Sequence, residues 1–200
     1  MDNLKPRLIV VGGPNGSGKT SITEQLLHNT WMQGCEYVNP DVIADTKFDG
    51  WNDPASIKKA AHEAQKIREK CIEQRRDLAF ETVFSADDKL QFLREAKKAG
   101  YFIRLFFIST DHPAINAARV TYRYMAGGHD VPISKIVSRY QKSIANCAAI
   151  APEVDRLYVY DNSVEQAEPK LQFRLVEGAL KRSNSAVHQW AQEILMALDI

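Results

Sequence analysis

Residues 13–20 read GPNGSGKT and directly follow the apolar run Leu8 to Val11, which is typical of a buried strand. The spacing G-x-x-x-x-G-K-[ST] is that of a phosphate-binding loop. Its glycines let backbone N–H groups turn inward around a phosphate, its lysine reaches the outer phosphates, and its threonine hydroxyl can ligate Mg²⁺. A helix beginning near Gly18 would point its positive end at the same anion. We therefore expect a nucleotide to contact Gly13, Pro14, Asn15, Gly16, Ser17, Gly18, Lys19, Thr20 and Ser21, with Thr20 as the metal ligand.

Length and composition predict one globular domain spanning residues 1–200. The chain is 44% hydrophobic and 26% charged, as is usual for soluble proteins. Its formal net charge is +1, so no global field attracts nucleic acid or an anionic membrane, although a local basic patch remains compatible. Cys35, Cys71 and Cys147 form no C-x-x-C pair, which predicts reduced thiols. The N-terminal apolar run is too short for a signal peptide or a membrane span, and we expect a cytoplasmic location.

The predicted fold class is α/β, a single-domain P-loop NTPase fold with a parallel sheet flanked by helices. Short β-branched and aromatic runs alternate with helical segments, as in βα units on a parallel sheet. We predict strands over 7–11, 36–39, 78–83, 102–109 and 156–160, and helices over 54–74 and 87–99. Two further helices flank Gly127-Gly128 as a helical lid, the second with Pro132 in its first turn. A C-terminal hairpin turning near Glu177-Gly178 precedes a last helix over 186–198.

The helix over 54–74 is predicted to bury one face. Apolar residues recur there at spacings of three and four, which is the period of an amphipathic helix. The charged residues of this segment are interpreted as a solvated face. The predicted buried positions are Ile57, Ala61, Ala64, Ile67 and Cys71.

Asn39-Pro40-Asp41 follows a predicted strand, and ligands of open parallel sheets lie at the carboxyl ends of strands. Phosphorylation of an alcohol uses a carboxylate within hydrogen-bond reach of the hydroxyl, which makes Asp41 a candidate general base. By position alone, Asp41 could equally cap a helix over 42–46.

Polar residues also follow two other predicted strands. Glu81 and Thr82 end one strand and Ser85 comes shortly after, so a carboxylate and two hydroxyls could hold a sugar or polyol. In the alternative interpretation, Thr82 is a favourable strand residue and Ser85 the N-cap of the next helix. Asp161 has the position of a Walker B aspartate, but Asp161-Asn162-Ser163 favours a turn.

Arg119 and Arg123 are four residues apart and precede the glycine pair, so they share one helix face. This arrangement is typical of a lid that brings guanidinium groups onto a transferring phosphate, and Arg139 could join them. The alternative is a pair of surface arginines beside a connecting turn. His129 has no ligand spacing to the cysteines or the other histidines, which argues against a metal site there.

Together, these motifs resemble the zeta toxin family, over most of the chain up to about Ser163. The resemblance implies an ATP-dependent, Mg²⁺-dependent kinase that phosphorylates a hydroxyl of a UDP-activated amino sugar such as UDP-N-acetylglucosamine, with an antitoxin protein as partner. It assigns catalysis to Lys19, Asp41, Arg119 and Arg123, and a nucleotide contact to Arg139. It implies substrate contacts at Asn39, Asp41, Glu81, Thr82, Ser85 and His129. The motifs that carry the resemblance are residues 13–20, 39–44, 81–85, 118–120 with Arg123, 127–132, 139–140 and 160–163.

Two rival functions use the same loop. A nucleotide-dependent switch is disfavoured because the sequence holds neither the Asn-Lys-x-Asp motif of GTPases nor the Leu-Ser-Gly-Gly-Gln signature of ABC ATPases. A polynucleotide kinase would require a basic groove with stacking aromatics. The near-neutral charge argues against it, although Tyr122 and Tyr124 interleave with the arginines.

Overall fold

The structure is a computed structural model that describes residues 5–27, 30–50, 53–128 and 131–200. Its described part contains a seven-stranded sheet with strand order β2-β3-β1-β4-β5-β6-β7. The first five strands in this order are parallel, and β6 and β7 are antiparallel. The strands are β1 (Arg7–Gly12), β2 (Glu36–Val38), β3 (Leu78–Thr82), β4 (Phe102–Ser109), β5 (Arg156–Asp161), β6 (Lys170–Val176) and β7 (Ala179–Ser183).

The helices lie between the strands as the alternating pattern predicts, and the α/β class is confirmed. They are α1 (Lys19–Ile22), α2 (Pro40–Lys47), α3 (Pro54–Glu73), α4 (Asp87–Lys98), α5 (Pro113–Met125), α6 (Ile133–Ile150) and α7 (Gln189–Met196), and α1 continues into a π-helical segment, Thr23–Leu27. The predicted hairpin is also confirmed, with Glu177 and Gly178 at φ 50° and 75° in its turn. The last helix is shorter than predicted. No helix among the described residues is both long and apolar enough to span a membrane.

The two faces of the sheet are covered unequally. One face is packed by side chains of α2, α3, α4, α6 and α7 against β-strand residues such as Leu8, Phe80 and Phe107. The other face carries a smaller cluster in which Trp31 and the α1 segment lie over Phe106. Both faces of β1 are buried, as expected for a central parallel strand. The phosphate loop therefore starts from a rigid strand.

The buried face of α3 differs from the predicted one. Its buried residues are Ser56, Ala60, Ala64, Arg68 and Cys71. The predictions for Ile57 and Ala61 are wrong, because both are exposed. The solvated-face interpretation is wrong for Arg68, whose guanidinium lies 5.3 Å from the ring centroid of Phe80. Small residues let the helix approach the sheet, and stacking on the ring compensates the buried charge.

Helices α5 and α6 form the predicted helical pair, with a small core of their own. Val120 packs there with Val131 and Ile136. Pro132 is the N-cap of α6 and not a residue of its first turn. This separate core holds the two helices together as a unit beside the phosphate loop.

Candidate active site

The phosphate loop requires glycine at two positions where φ is positive and another residue comes close. Gly16 has φ +74°, and a Cβ atom there would lie 2.6 Å from the Asn116 carbonyl oxygen. Gly18 has φ +86°, and its Cβ would lie 2.3 Å from Asn162 Nδ2. L-residues avoid this backbone region, so any side chain at either position would distort the loop.

Three side chains from outside the loop support it by hydrogen bonds. Asn116 Nδ2 donates to the Asn15 carbonyl at 2.6 Å, and Asn162 Nδ2 donates to the Ser17 carbonyl at 2.9 Å. Arg139 donates to Asn15 Oδ1 at 3.1 Å. Because the loop's carbonyls are bound from outside, its N–H groups are directed inward toward an anion. Asn116 is not predictable as a site residue, since nothing in its local sequence distinguishes it from an ordinary helix residue.

The predicted nucleotide contacts divide into two groups. Gly13, Pro14 and Ser17 are buried within the loop. The others line cavities next to it, namely Asn15, Gly16, Gly18, Lys19, Thr20 and Ser21.

Lys19 lies between charges of both signs. Its Nζ donates to the Pro14 carbonyl at 2.9 Å. Burial lowers the pKa of Lys19 to about 8, with a smaller contribution in the same direction from Arg123, while the charges of Glu81 and Asp41 oppose this decrease. A bound polyphosphate would favour the charged form.

Glu81 lies behind Thr20, in the position of a Walker B carboxylate. It ends β3, which pairs directly with β1. Its Oε2 accepts a hydrogen bond from Thr20 Oγ1 at 2.9 Å, and its Oε1 accepts one from the Tyr37 hydroxyl at 2.6 Å. Burial raises the pKa of Tyr37, and the Glu81 charge adds to the increase, so the phenol stays protonated as the donor. Both carboxylate oxygens of Glu81 thus have partners within the protein.

Asp161 has a different environment. It accepts hydrogen bonds from the Ser163 N–H and hydroxyl at 3.0 and 2.8 Å, and from Trp190 Nε1 at 3.2 Å. Asp161 is the last residue of β5, and its contact with the Ser163 N–H is an Asx turn where the chain leaves the strand.

Asp41 does not cap a helix. The N-cap of α2 is Asn39, whose Oδ1 accepts from the Asp41 N–H at 2.9 Å. The alternative that Asp41 caps this helix is therefore wrong. Its carboxylate is exposed to the cleft and makes no hydrogen bond or salt bridge with a described residue. Asn39 itself also lines the cleft, but its amide is occupied by the cap and by a 3.3 Å contact with the Tyr37 hydroxyl.

A continuous cleft extends from the loop toward α3 and α4. It consists of two adjoining cavities of about 530 and 610 Å³. Both are lined by Lys19, Asp41 and Arg123, and the larger one also by Thr82, Ser85 and Arg139. The N-cap alternative for Ser85 is wrong, because Ala86 occupies that position without a side-chain cap.

A third cavity, of about 700 Å³, lies on the other side of Gly18 and Ser21. It is lined by Arg119, Asn162 and residues 164–169. Arg119 donates to the carbonyls of Asn162 and Ser163 at 2.8 and 3.3 Å. Arg119 and Arg123 both line the smaller cavity of the main cleft, and Arg119 is in addition held by the carbonyls of this neighbouring loop. His129 lies outside the described residues.

The phosphate loop after the first strand, the carboxylate on the neighbouring strand and the helical pair beside the cleft define a P-loop protein of the kinase type. A model of the zeta toxin family, described as "Zeta toxin", matches residues 1–168. The chain belongs to this family. The C-terminal hairpin and α7 lie beyond the matched segment.

Solved structures with the same fold come from several systems. A crystal structure of AvrRxo1-ORF1:-ORF2 with ATP aligns with TM-score 0.69 and 16% identity over 98% of this chain and 64% of that one, so this chain spans less than two thirds of its length. A structure from the PezAT toxin-antitoxin system of Streptococcus pneumoniae aligns with TM-score 0.63 and 14% identity, covering 100% of this chain and 86% of that one. A chain of the Pnkp1/Rnl/Hen1 RNA repair complex gives TM-score 0.55 and 17% identity over 72% of this chain and 47% of that one. No curated protein sequence gave a significant match.

Proposed function

We propose that the protein transfers the γ-phosphoryl group of ATP to a hydroxyl of a small molecule, with Asp41 as general base. The observation that carries the proposal is the Asp41 carboxylate, which opens into the same cavity as Lys19 and Thr20 without a partner among the described residues. A carboxylate in this position can accept a proton from an alcohol held beside the terminal phosphate.

The cavity beyond Gly18 is the proposed nucleoside site. It continues directly from the phosphate loop, and the AvrRxo1 structure with the same fold contains ATP. The Arg119 guanidinium is held there by two carbonyls. A planar cation fixed in this way can stack on a base.

The residues present fit a Mg²⁺ ion that arrives with the nucleotide. The Thr20 hydroxyl directs its proton to Glu81, which leaves its oxygen lone pairs free for a hard cation. Glu81 can also accept a hydrogen bond from a metal-bound water. The ion would neutralise charge on the phosphates.

In the proposed reaction, Lys19 and the loop N–H groups hold the phosphates in place. The acceptor hydroxyl oxygen attacks the γ-phosphorus, the bond from that phosphorus to the bridging oxygen of ADP breaks, and Asp41 takes the hydroxyl proton. Arg123 and Arg139 line the cleft where negative charge develops, and their cations would stabilise it.

The proposed acceptor is a UDP-activated amino sugar such as UDP-N-acetylglucosamine. Family membership supports it, together with the hydroxyls of Thr82 and Ser85 on the cleft wall. A site built to bind hydroxyl groups rejects analogues that lack them. We also propose an antitoxin partner, on the precedent of the PezAT system.

Incubation with Mg·ATP and a panel of UDP-sugars, free sugars and oligonucleotides tests the proposal by mass spectrometry. We expect a UDP-sugar product heavier by one phosphoryl group. Asp41→Asn should lose the product, whereas Asp45→Asn, the same change one helical turn further along the cleft, should retain it. A phosphorylated oligonucleotide would instead favour a polynucleotide kinase, and ATP hydrolysis without any acceptor would favour a switch.

A further inference from the structure

Four arginines lie on one face of the sheet, across strands β4 to β7. Arg104 is the direct neighbour of Arg156 in the parallel β4–β5 pair, and Arg174 is opposite Arg182 in the antiparallel β6–β7 pair. Alternate residues of β4, β5 and β6 point into the main core on the opposite face. All four arginines therefore extend from the thinly covered face that also bears Tyr158. We call these four residues the arginine face.

Among the described residues, aromatic rings and not carboxylates accompany three of these four cations. The guanidinium of Arg104 lies 4.1 Å from the ring centroid of Trp31, and that of Arg174 lies 5.4 Å from the ring of Tyr158. Arg156 lies 5.4 Å from the Phe102 ring. Within the part of the chain that the structure describes, no member of the arginine face forms a salt bridge.

The arrangement is unfavourable in the isolated chain. Like charges directly opposite one another on adjacent strands destabilise a sheet. Burial lowers the pKa of Arg104; Tyr158 opposes this decrease, while the positive charges of Arg156 and Arg7 add a smaller contribution to it. Stacking on the rings fixes the guanidinium planes, so little side-chain freedom would be lost when they bind an anion. Carboxylates facing them would relieve the repulsion and form charge-assisted hydrogen bonds.

We propose that the arginine face is the docking surface for an acidic polypeptide segment of a partner protein. The adjacent strand β7 favours a polypeptide, because it is the edge of the sheet and all five of its residues are exposed. Its outer backbone groups have no strand partner among the described residues. An incoming strand can pair with this edge while its alternate side chains reach Arg182 and Arg174.

A nucleic acid fits the same surface less well. Nucleic-acid platforms expose aromatic faces for base stacking, whereas here arginine side chains already lie over the rings of Trp31, Phe102 and Tyr158. The docking surface is also separate from the phosphate loop. Arg156 begins β5 and Arg104 lies near the start of β4, whereas the loop lies at the carboxyl ends of the strands. The inference is therefore independent of the proposed function.

Fluorescence anisotropy with labelled poly-L-glutamate tests the proposal at physiological ionic strength, where exposed non-specific attraction is screened. We expect the wild-type chain to bind, and Arg174→Gln/Arg182→Gln to bind at least about tenfold more weakly. Lys58→Gln/Lys66→Gln on α3 removes the same charge from exposed positions elsewhere and should bind like the wild type. Replacing Arg174 also removes its contact with the Tyr158 ring, which contributes to stability, so Arg182→Gln is tested alone as well. Arg182 is exposed, and this single change should weaken binding without lowering the melting temperature.

Hydrogen–deuterium exchange shows where on the protein the peptide binds. Poly-L-glutamate should protect amides of 179–183, as expected for strand pairing at β7. The proposal is overturned if the wild type does not bind the peptide, if both double variants lose binding equally, or if β7 gains no protection. It is also overturned if an oligouridylate binds with the same arginine dependence while poly-L-glutamate does not.

Discussion

Replacement of Lys19 by methionine should stabilise the folded chain at neutral pH although it removes phosphoryl transfer. The ammonium group lies in a cleft where burial disfavours its charge, and the neighbouring Arg123 adds to this effect. A neutral side chain of similar length avoids this cost. The same substitution removes the charge that would hold the outer phosphates.

The magnitude follows from the pKa, which falls from an ordinary 10.5 to about 8 in the folded chain. A change of one in pKa corresponds to about 1.4 kcal/mol, so a decrease of about 2.5 sets an upper limit of about 3.5 kcal/mol. Partial exposure to the cleft screens the Lys19 charge, so about 2 kcal/mol is a realistic cost of holding the charged ammonium in the folded chain. Methionine also leaves the Pro14 carbonyl without its donor, a loss of about 1 kcal/mol. The net gain for Lys19→Met at neutral pH is therefore about 1 kcal/mol.

The stability difference between Lys19→Met and the wild type should decrease as the pH rises. Below about pH 8 Lys19 is charged in both the folded and the unfolded chain, so the folded wild type bears the whole cost. Between about 8 and 10.5 the unfolded chain binds more protons than the folded one, and wild-type stability rises with pH. The advantage of Lys19→Met should disappear across this range and become a deficit of about 1 kcal/mol, since the neutral amine still donates to Pro14.

Urea unfolding followed by tryptophan fluorescence measures the difference between the wild type and Lys19→Met at neutral and alkaline pH. Lys58→Met, at an exposed position of α3, is the matched control and should show a small difference that does not depend on pH. The reasoning is refuted if Lys19→Met is less stable than the wild type at neutral pH, or if the difference between them does not change with pH.

Three further substitutions probe the cleft and its supports. Asp41→Asn should lower the rate of transfer by about 10²–10⁴ with little change in ATP affinity, and a collapse of ATP binding in calorimetry would contradict the role of base. Trp190→Phe removes the 3.2 Å hydrogen bond to Asp161, the neighbour of Asn162, which supports the Ser17 carbonyl of the phosphate loop. Steady-state kinetics should show a KM for ATP raised by about two- to tenfold with kcat less affected, and an unchanged KM would restrict Trp190 to packing. Gly128→Ala would place a Cβ atom 2.7 Å from Arg123 Cγ, and turnover should fall more than nucleotide affinity; equal losses in both would argue against a separate role for Arg123.

Local patterns in the sequence predict much of the fold. The five parallel strands are short and rich in β-branched or aromatic residues, and the glycine-rich turn after the first of them has a spacing that few other structures require. The hairpin turn at Gly178 and the end of α4 at Gly100 follow from glycines, which tolerate positive φ. Such features depend on neighbours within a few positions, so sequence is sufficient for them.

Local patterns predict burial and helix capping less well than they predict strands and turns. On α3 the apolar period included Ile57 but missed Arg68, because a cation can be buried where two aromatic rings from other elements receive it. At α2 both Asn39 and Asp41 are good caps, and the backbone entering the helix placed Asn39 at the N-cap position. Periodicity and residue type describe what a side chain can do, and packing selects among those options.

Local sequence is sufficient for the phosphate loop, for the alternation of strands and helices, and for a carboxylate, Asp41, that follows a strand. The residues that surround these features are brought there by the packing of the whole chain. Glu81 contacts Thr20 because β3 lies beside β1, and Asn116 supports Asn15 from 101 residues away. Strand order and helix docking are set by the burial of apolar surface over the whole chain. They bring together polar groups whose local sequence contains no sign of one another.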